Sequence, residues 1–467
     1  MTSQPSLERS LTLRDLVLQN IAGIVGFSTL ALSSQFGWAS LTLIVLGFVL
    51  FVVPAIIMVM DLSLRMPSEG GLYLWTKTAF GEKHGFVAAW SYWVSNLVWF
   101  PSVLFAAASL ATYIFLPQTN TVKDESTYTL VFSLCVLWSS VLLNIWGLRR
   151  SKWIQNIGGI AVWITILFLV VLGLFYVGQF GHTIQIDPAA FIPDFTDFSV
   201  LPFFAAITFA WAGIELTPVM SGEIIQPKKT IPKALFIAAI IILTIYLLGS
   251  AILVLSIPAG EIDLITGLQQ AYFLMSSRLG IPWMGKVGAG LMTISTIGLF
   301  GAWLTGNARI PFVIGLDNYL PKSLGKIHPK WKSPYISLLS QGVLISFLLV
   351  IASAGTSVKD AFVTLTEMSI ILFFIPFIYM FLALYRHNKR GSGEAGLPLL
   401  KGRKKLINCI VISGLVLTGL SIVLATLPPG QIEQPSIYLL KVVGGCLFLI
   451  LAGFVFYFRK QARASDD

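Results

Sequence analysis

Charge is what this sequence has least of. Only 11% of its 467 residues are charged, against about 25% in an ordinary soluble domain. Meanwhile 56% are hydrophobic, and the mean hydropathy is +0.83. That balance points to a polytopic membrane protein, for which length does not measure domain number. Cysteine is scarce too: Cys135, Cys409 and Cys446 each fall in an apolar run. They read as small buried hydrophobes, not as a disulfide framework or a thiolate metal site. The four histidines, His84, His182, His328 and His387, lie at the ends of apolar runs or between them, which argues against a haem-bearing subunit with ligands inside its spans. No GxxxxGK[ST] loop occurs, so an ATP-driven pump lacks its phosphate cradle. No cofactor, metal or catalytic group is expected, and the chain does not read as an enzyme. The opening residues, MTSQPSLERSLTLRD, are polar, and the apolar run behind them has no small-residue cleavage site; no signal peptide is expected.

What the chain does have is apolar runs. A spanning helix takes about 20 residues, and twelve runs qualify, at roughly 15–35, 40–61, 85–115, 128–147, 153–178, 199–222, 232–256, 283–306, 335–353, 359–385, 406–427 and 436–458. In hydrocarbon each backbone polar group must be paired within its own segment, so the runs are expected to be helices. With the N-terminus placed in the cytoplasm, the segments 1–14, 62–84, 148–152, 223–233, 307–334, 386–405 and 459–467 are inside and hold 26 of the 31 Lys and Arg residues. The outside loop 179–198 holds none. That is the positive-inside pattern, with both termini cytoplasmic in a multi-pass cell membrane protein. The net charge of +10 therefore reads as topology plus attraction to anionic lipid headgroups, with no nucleic-acid partner.

Two spans carry helix breakers. The first reads NIAGIVGFSTLALSSQFG (20–37), and the sixth reads FAAITFAWAGIELTPVMSGE (204–223). Interrupted helices in corresponding places of two halves point to a transporter binding site. A broken helix exposes N–H groups on one side and C=O groups on the other. These favour a carboxylate and an ammonium respectively, so the pair suits a zwitterion such as an amino acid. The alternative is that the glycines serve close helix packing.

The segment FAWAGIELTPVMSGEIIQPKKTIPKAL (209–235) resembles the sixth-helix signature of the amino acid–polyamine–organocation (APC) superfamily of permeases. DLSLRMPSEGGLYLWTKTAFGEKHGFVAAW (61–90), LNIWGLRRSKWIQNI (143–157) and GNARIPFVIGLDNYLPKSLGKIHPKWKSPYISLL (306–339) are similar to other family segments, in the same order. The resemblance implies an all-α membrane protein of twelve transmembrane helices with a LeuT-type fold. Five-helix inverted repeats at about 15–178 and 199–386 would form the transport core of residues 15–386. The tail 1–14, a basic loop at 387–405, two further helices in 406–458 and a tail at 459–467 would complete it. It also implies a substrate site between the two breaks, lined by helices 3, 8 and 10. The backbone of Gly23, Ile24, Val25 and Gly26 would receive the carboxylate, and the carbonyls around Phe209, Ala210, Trp211 and Ala212, with Gly213, the amine. Phe209 aligns with an outer gating aromatic. Two departures stand out: GIVGF (23–27) lacks the family's serine, and IGGIAVWITILFLVV (157–171) lacks the lysine that some proton-coupled members carry.

Two acids lie within spans. Glu215 sits beside the second break; it is either a proton-responsive or gating carboxylate, or a protonated acid bonded to loose backbone. Glu367 lies about eight residues into the tenth span, or about 12 Å at 1.5 Å per residue. It either faces the outer vestibule and meets a cationic group, or reaches back to water. Tyr92, Trp93, Trp99 and Phe100 are candidates for the pocket wall, or plain packing. Ser295, Thr296 and Thr305 are candidates for an ion site, or bond their own helix. Glu223 reads as structural, near Lys228 and Lys229. The expected function is a secondary transporter for amino acids, working by exchange or symport. A polyamine or organic-cation transporter, or a non-transporting receptor or scaffold of the same fold, are the alternatives. The oligomeric state is left open.

Overall fold

The structure, a computed structural model, describes residues 7–115, 125–182, 187–196, 200–257, 266–354, 358–390, 397, 400–427 and 435–466. The described residues are helical apart from turns, loops and one isolated bridge between Leu11 and Ile224. In chain order the helices are α1 (Leu13–Ile24), α2 (Phe27–Ser34), α3 (Ala39–Arg65), α4 (Gly71–Phe80), α5 (Glu82–Phe115), α6 (Glu125–Ile145), α7 (Leu148–Phe180), α8 (Val200–Ala210), α9 (Leu216–Val219) and α10 (Pro227–Ser256). They continue with α11 (Gly267–Arg278), α12 (Trp283–Asn307), α13 (Arg309–Leu316), α14 (Tyr335–Ser353), α15 (Val358–Lys389), α16 (Lys404–Ala425) and α17 (Ser436–Lys460).

Ten of the described helices are long and apolar enough to cross a membrane, and the bent pair α1 and α2 makes an eleventh candidate. The remaining apolar run, 199–222, falls short because the chain leaves the helix at 211–215, between α8 and α9. Outward faces carry large exposed apolar side chains such as Phe175, Phe236 and Phe448, a surface suited to lipid and not to water. Cys135 and Cys409 are on such exposed faces, and only Cys446 is buried. Apolar neighbours suggested burial for all three, but a lipid-facing stripe is as apolar as a core.

The interior is built around α1, α5, α7, α12 and α15, which pack on one another. α7 and α12 cross at Gly158 and Gly298, where a Cβ on Gly158 would lie 2.5 Å from the Gly298 Cα. Only glycines permit that approach. Polar bonds tie α12 to its neighbours: the Thr305 hydroxyl donates to Asn144 Oδ1 on α6 (2.7 Å), and the Gln155 amide on α7 donates to Thr305 Oγ1 (3.1 Å). α1 starts with a capping box between Thr12 and Asp15, which satisfies two orphan donors. Asp15 also accepts from Lys152 (2.9 Å) and Asn156 (2.8 Å) on α7. The chain before α1 pairs with the chain after α9: the N–H groups of Ser10 and Leu11 donate to the Glu223 carbonyl, at 2.9 and 3.0 Å. The two interrupted segments are therefore held together at one end.

Candidate functional site

The first break is short. α1 ends at Ile24, Val25 and Gly26 are extended, and α2 leaves at 48°. No side chain caps α2, so its first-turn N–H groups lack a capping acceptor. The second break spans 211–215, where Gly213 adopts φ +120°, a conformation that glycine alone takes readily. The breaks touch: a Cβ on Gly213 would lie 2.9 Å from Ile24 Cγ1 and 3.5 Å from the Gly23 carbonyl oxygen. The Asn20 amide also reaches from α1 to the Thr217 hydroxyl on α9, at 2.8 Å.

Several exposed backbone groups already have partners. Tyr246, in the middle of α10, places its hydroxyl between the two breaks. It accepts from the Gly26 N–H (3.2 Å) and donates to the Ile24 carbonyl (3.0 Å), with the Ala210 carbonyl at 3.3 Å. One hydroxyl proton serves one carbonyl at a time, so a competing donor can release the other. The Trp303 indole N–H on α12 donates to the Gly23 carbonyl at 2.7 Å. Glu215, fully buried, accepts from the Gly213 N–H (3.1 Å) and from the Tyr92 hydroxyl (3.0 Å).

Beside the breaks is a cavity of about 390 Å³ walled by α1, α2, α5, α8, α12 and α15, within the usual size range of small-molecule sites. Gly23, Ile24, Val25, Gly26, Phe209, Ala210, Ala212 and Glu367 are in its wall. Trp211 is not: its ring packs on Phe48 and Tyr246. Gly213 and Glu215 lie behind the wall, in the contact between the breaks. Phe209 closes one side against Phe373, with ring centroids 5.7 Å apart in edge-to-face geometry. Trp99 and Thr296 also face the cavity. Of the other α5 candidates, Tyr92 bonds Glu215, Trp93 packs on Trp90, and Phe100 packs on Phe300. Ser295 and Thr296 donate to the carbonyls one turn back, at Leu291 and Met292, and Thr305 to Gly301 and Asn144. Three polar residues at the site have no counterpart among the sequence expectations: Asn96 and Trp303, which line the cavity, and Tyr246 between the breaks. A polar group in mid-span is the signal for Asn96 and Tyr246; nothing local distinguishes Trp303 from a packing tryptophan.

Below the breaks lies a buried charge cluster. Glu223 pairs with Arg309, not with Lys228 or Lys229: Nε and Nη2 donate to its two oxygens, both at 2.8 Å. Glu69, from the loop between α3 and α4, lies against Gly222, where a Cβ would be 2.6 Å from its Oε1. Burial, and then the neighbouring Glu223 carboxylate, push the Glu69 carboxyl well above its ordinary range.

A family model described as amino acid permease matches residues 11–458. The chain is 26% identical over 452 residues to an uncharacterized transporter of Legionella pneumophila, covering 96% of this chain and 97% of that one. It is 26% identical over 447 residues to a probable agmatine/putrescine antiporter of Lactococcus lactis, covering 93% and 91%. It is 24% identical over 341 residues to a serine/threonine exchanger of Bacillus subtilis, covering 72% of each.

Proposed function

The chain belongs to the amino acid permease family, and from that premise we propose that it is a secondary transporter carrying an amino acid or amine across the membrane by alternating access. The observation that carries this reading is the meeting of two interrupted helices at the wall of one small-molecule cavity. Uncapped first-turn N–H groups of α2 suit the electronegative end of a substrate. The Ala210 carbonyl, which shares the Tyr246 proton with Ile24, suits an ammonium. Phe209 serves as the outer aromatic gate, and Glu215 as a gating carboxyl behind the site.

The proposed architecture counts the interrupted run 199–222 as a span, giving twelve, with inverted five-helix repeats at about 15–178 and 199–386 and both termini cytoplasmic. Helices 11 and 12, in 406–458, flank that core. Relatives named for amines and for hydroxylated amino acids are 26% identical over 447 residues and 24% over 341, and at that distance similarity alone does not choose the substrate. The test is uptake into proteoliposomes from a panel of amino acids and amines, with and without internal substrate and a pH gradient. Stimulation by internal substrate identifies exchange, and stimulation by the pH gradient identifies proton symport. Absence of uptake for every amino acid and amine would overturn the reading.

A further inference from the structure

The cavity wall contains no Lys, Arg or His, and Glu367 is its one ionisable side chain among the described residues. That carboxylate makes no hydrogen bond or ion pair among the described residues. The hydroxyl of its neighbour Thr366, also in the wall, is buried without a partner. Among the other described buried acids, Glu223 has Arg309, Asp15 has Lys152 and Glu215 has two donors, while Glu69 makes no side-chain hydrogen bond but lies within the field of Arg309. Glu367 differs from these in having no basic side chain beside it in the wall and in opening onto space large enough for a ligand. An anion held in a low-dielectric recess is costly unless a cation or proton joins it.

We propose that Glu367 is the counter-charge for a cationic group of the substrate, so that the cavity takes a molecule with an amine or guanidine group remote from the end held at the helix breaks. A diamine, an aminoguanidine or an amino acid with a basic side chain has this chemistry. Phe373, which meets Phe209 at the level of the break, lies six residues from Glu367 on the same helix, about 9 Å at 1.5 Å per residue. The two polar ends of the substrate are thus separated by a chain of several methylenes. Trp99, Phe209, Phe362 and Phe373 supply apolar and aromatic wall for such a chain, and aromatic faces also favour a nearby cation. A neutral amino acid of the same length leaves Glu367 without a partner, which is a discrimination against it.

This inference rests on the transporter reading of the cavity, and the experiment separates the two. Purified protein in proteoliposomes is given matched pairs that differ in side-chain charge alone or nearly so: arginine and citrulline, lysine and norleucine. Uptake and ligand-induced thermal shift are measured for the wild type, Glu367→Gln and Glu367→Asp. The expected result is that the wild type favours the cationic member of at least one pair by about tenfold or more. Glu367→Gln raises KM for that member roughly tenfold to a hundredfold, with less than about threefold change for its neutral partner; Glu367→Asp keeps part of the preference. Wild-type preference for the neutral members, or an equal loss for both members in a Glu367→Gln variant with unchanged melting temperature, overturns the inference and leaves the transporter reading standing. If Glu367→Gln melts lower, the wild-type preference and Glu367→Asp decide. No uptake and no thermal shift with any compound overturns both.

Discussion

The Tyr92 hydroxyl donates to Glu215 Oε1 at 3.0 Å while the Gly213 N–H donates to Oε2 at 3.1 Å. Helix α5 is thereby joined, through one buried carboxyl, to the left-handed glycine of the second break. Both partners are donors, and no Lys or Arg bonds this carboxyl among the described residues. Any rearrangement of the break must either carry Glu215 along or break one of these bonds.

Glu215→Gln tests that coupling. An amide presents one acceptor oxygen and one donor NH₂, so it can keep the Gly213 N–H but must donate to the Tyr92 hydroxyl oxygen, which leaves the Tyr92 proton without this acceptor. The unpaired donor costs about 1–3 kcal/mol. We expect transport to fall by about tenfold, with a flattened dependence on pH because the group can no longer exchange a proton. Uptake rates across a pH series check this; a variant with the wild-type profile would exclude a proton role for Glu215.

Tyr246→Phe removes one oxygen that touches both breaks. Its loss leaves the Gly26 N–H and the Ile24 carbonyl without this partner. The substitution keeps the ring that packs on Trp211 at 5.3 Å, so the fold is expected to survive with a loss of about 1–2 kcal/mol. Transport is expected to fall further than stability does, because the register between the breaks is set by that hydroxyl. Paired measurements of melting temperature and initial uptake rate separate the two effects.

The positions of the breaks were legible in the sequence because Gly23, Gly26, Gly213 and Pro218 interrupt otherwise apolar runs, and lipid penalises such interruptions unless protein shelters them. The apolar runs themselves were legible for the same reason. The partners across the site were not. Glu223 is close in sequence to Lys228 and Lys229, yet it meets Arg309, 86 residues away, because α13 begins where the segment after α9 passes beneath it. The Tyr246 hydroxyl bonds residues 36 and 222 positions distant, which no local pattern reports. The inward or outward sense of an apolar residue was illegible as well: Cys135 and Cys446 have similar apolar neighbours in sequence, but one is exposed and the other buried.

Gly213→Ala and Gly23→Ala form a matched pair. At Gly213 the added methyl meets Ile24 Cγ1 at 2.9 Å and sits on a backbone at φ +120°. At Gly23 the nearest atom is Leu216 Cδ2 at 3.6 Å, ordinary contact, on a helical backbone. Gly213→Ala is expected to cost about 2–4 kcal/mol from strain plus overpacking. Gly23→Ala, on helical backbone in the last turn of α1, is expected to be near neutral. Thermal unfolding in detergent distinguishes them, and equal melting temperatures would count against this packing of the two breaks.

The Glu69, Glu223 and Arg309 cluster makes a prediction about pH and stability. Arg309 is the one cation bonded within it, and it faces Glu223 directly. Glu69 is held well above its ordinary value of 4.5, first by burial and then by Glu223. The folded state therefore binds a proton at Glu69 that the unfolded chain has released once pH exceeds about 4.5. Stability from this group is full below that value and declines as pH rises through the higher folded value. Glu69→Gln should match the wild type in acid and be the more stable of the two at alkaline pH. Arg309→Met leaves Glu223 buried without its cation, at a cost of about 3–5 kcal/mol. Arg309→Lys recovers only part of that loss, because an ammonium cannot donate in the bidentate geometry. Melting temperature measured against pH for all four proteins checks the order; a Glu69→Gln curve parallel to the wild type would remove Glu69 from the titration.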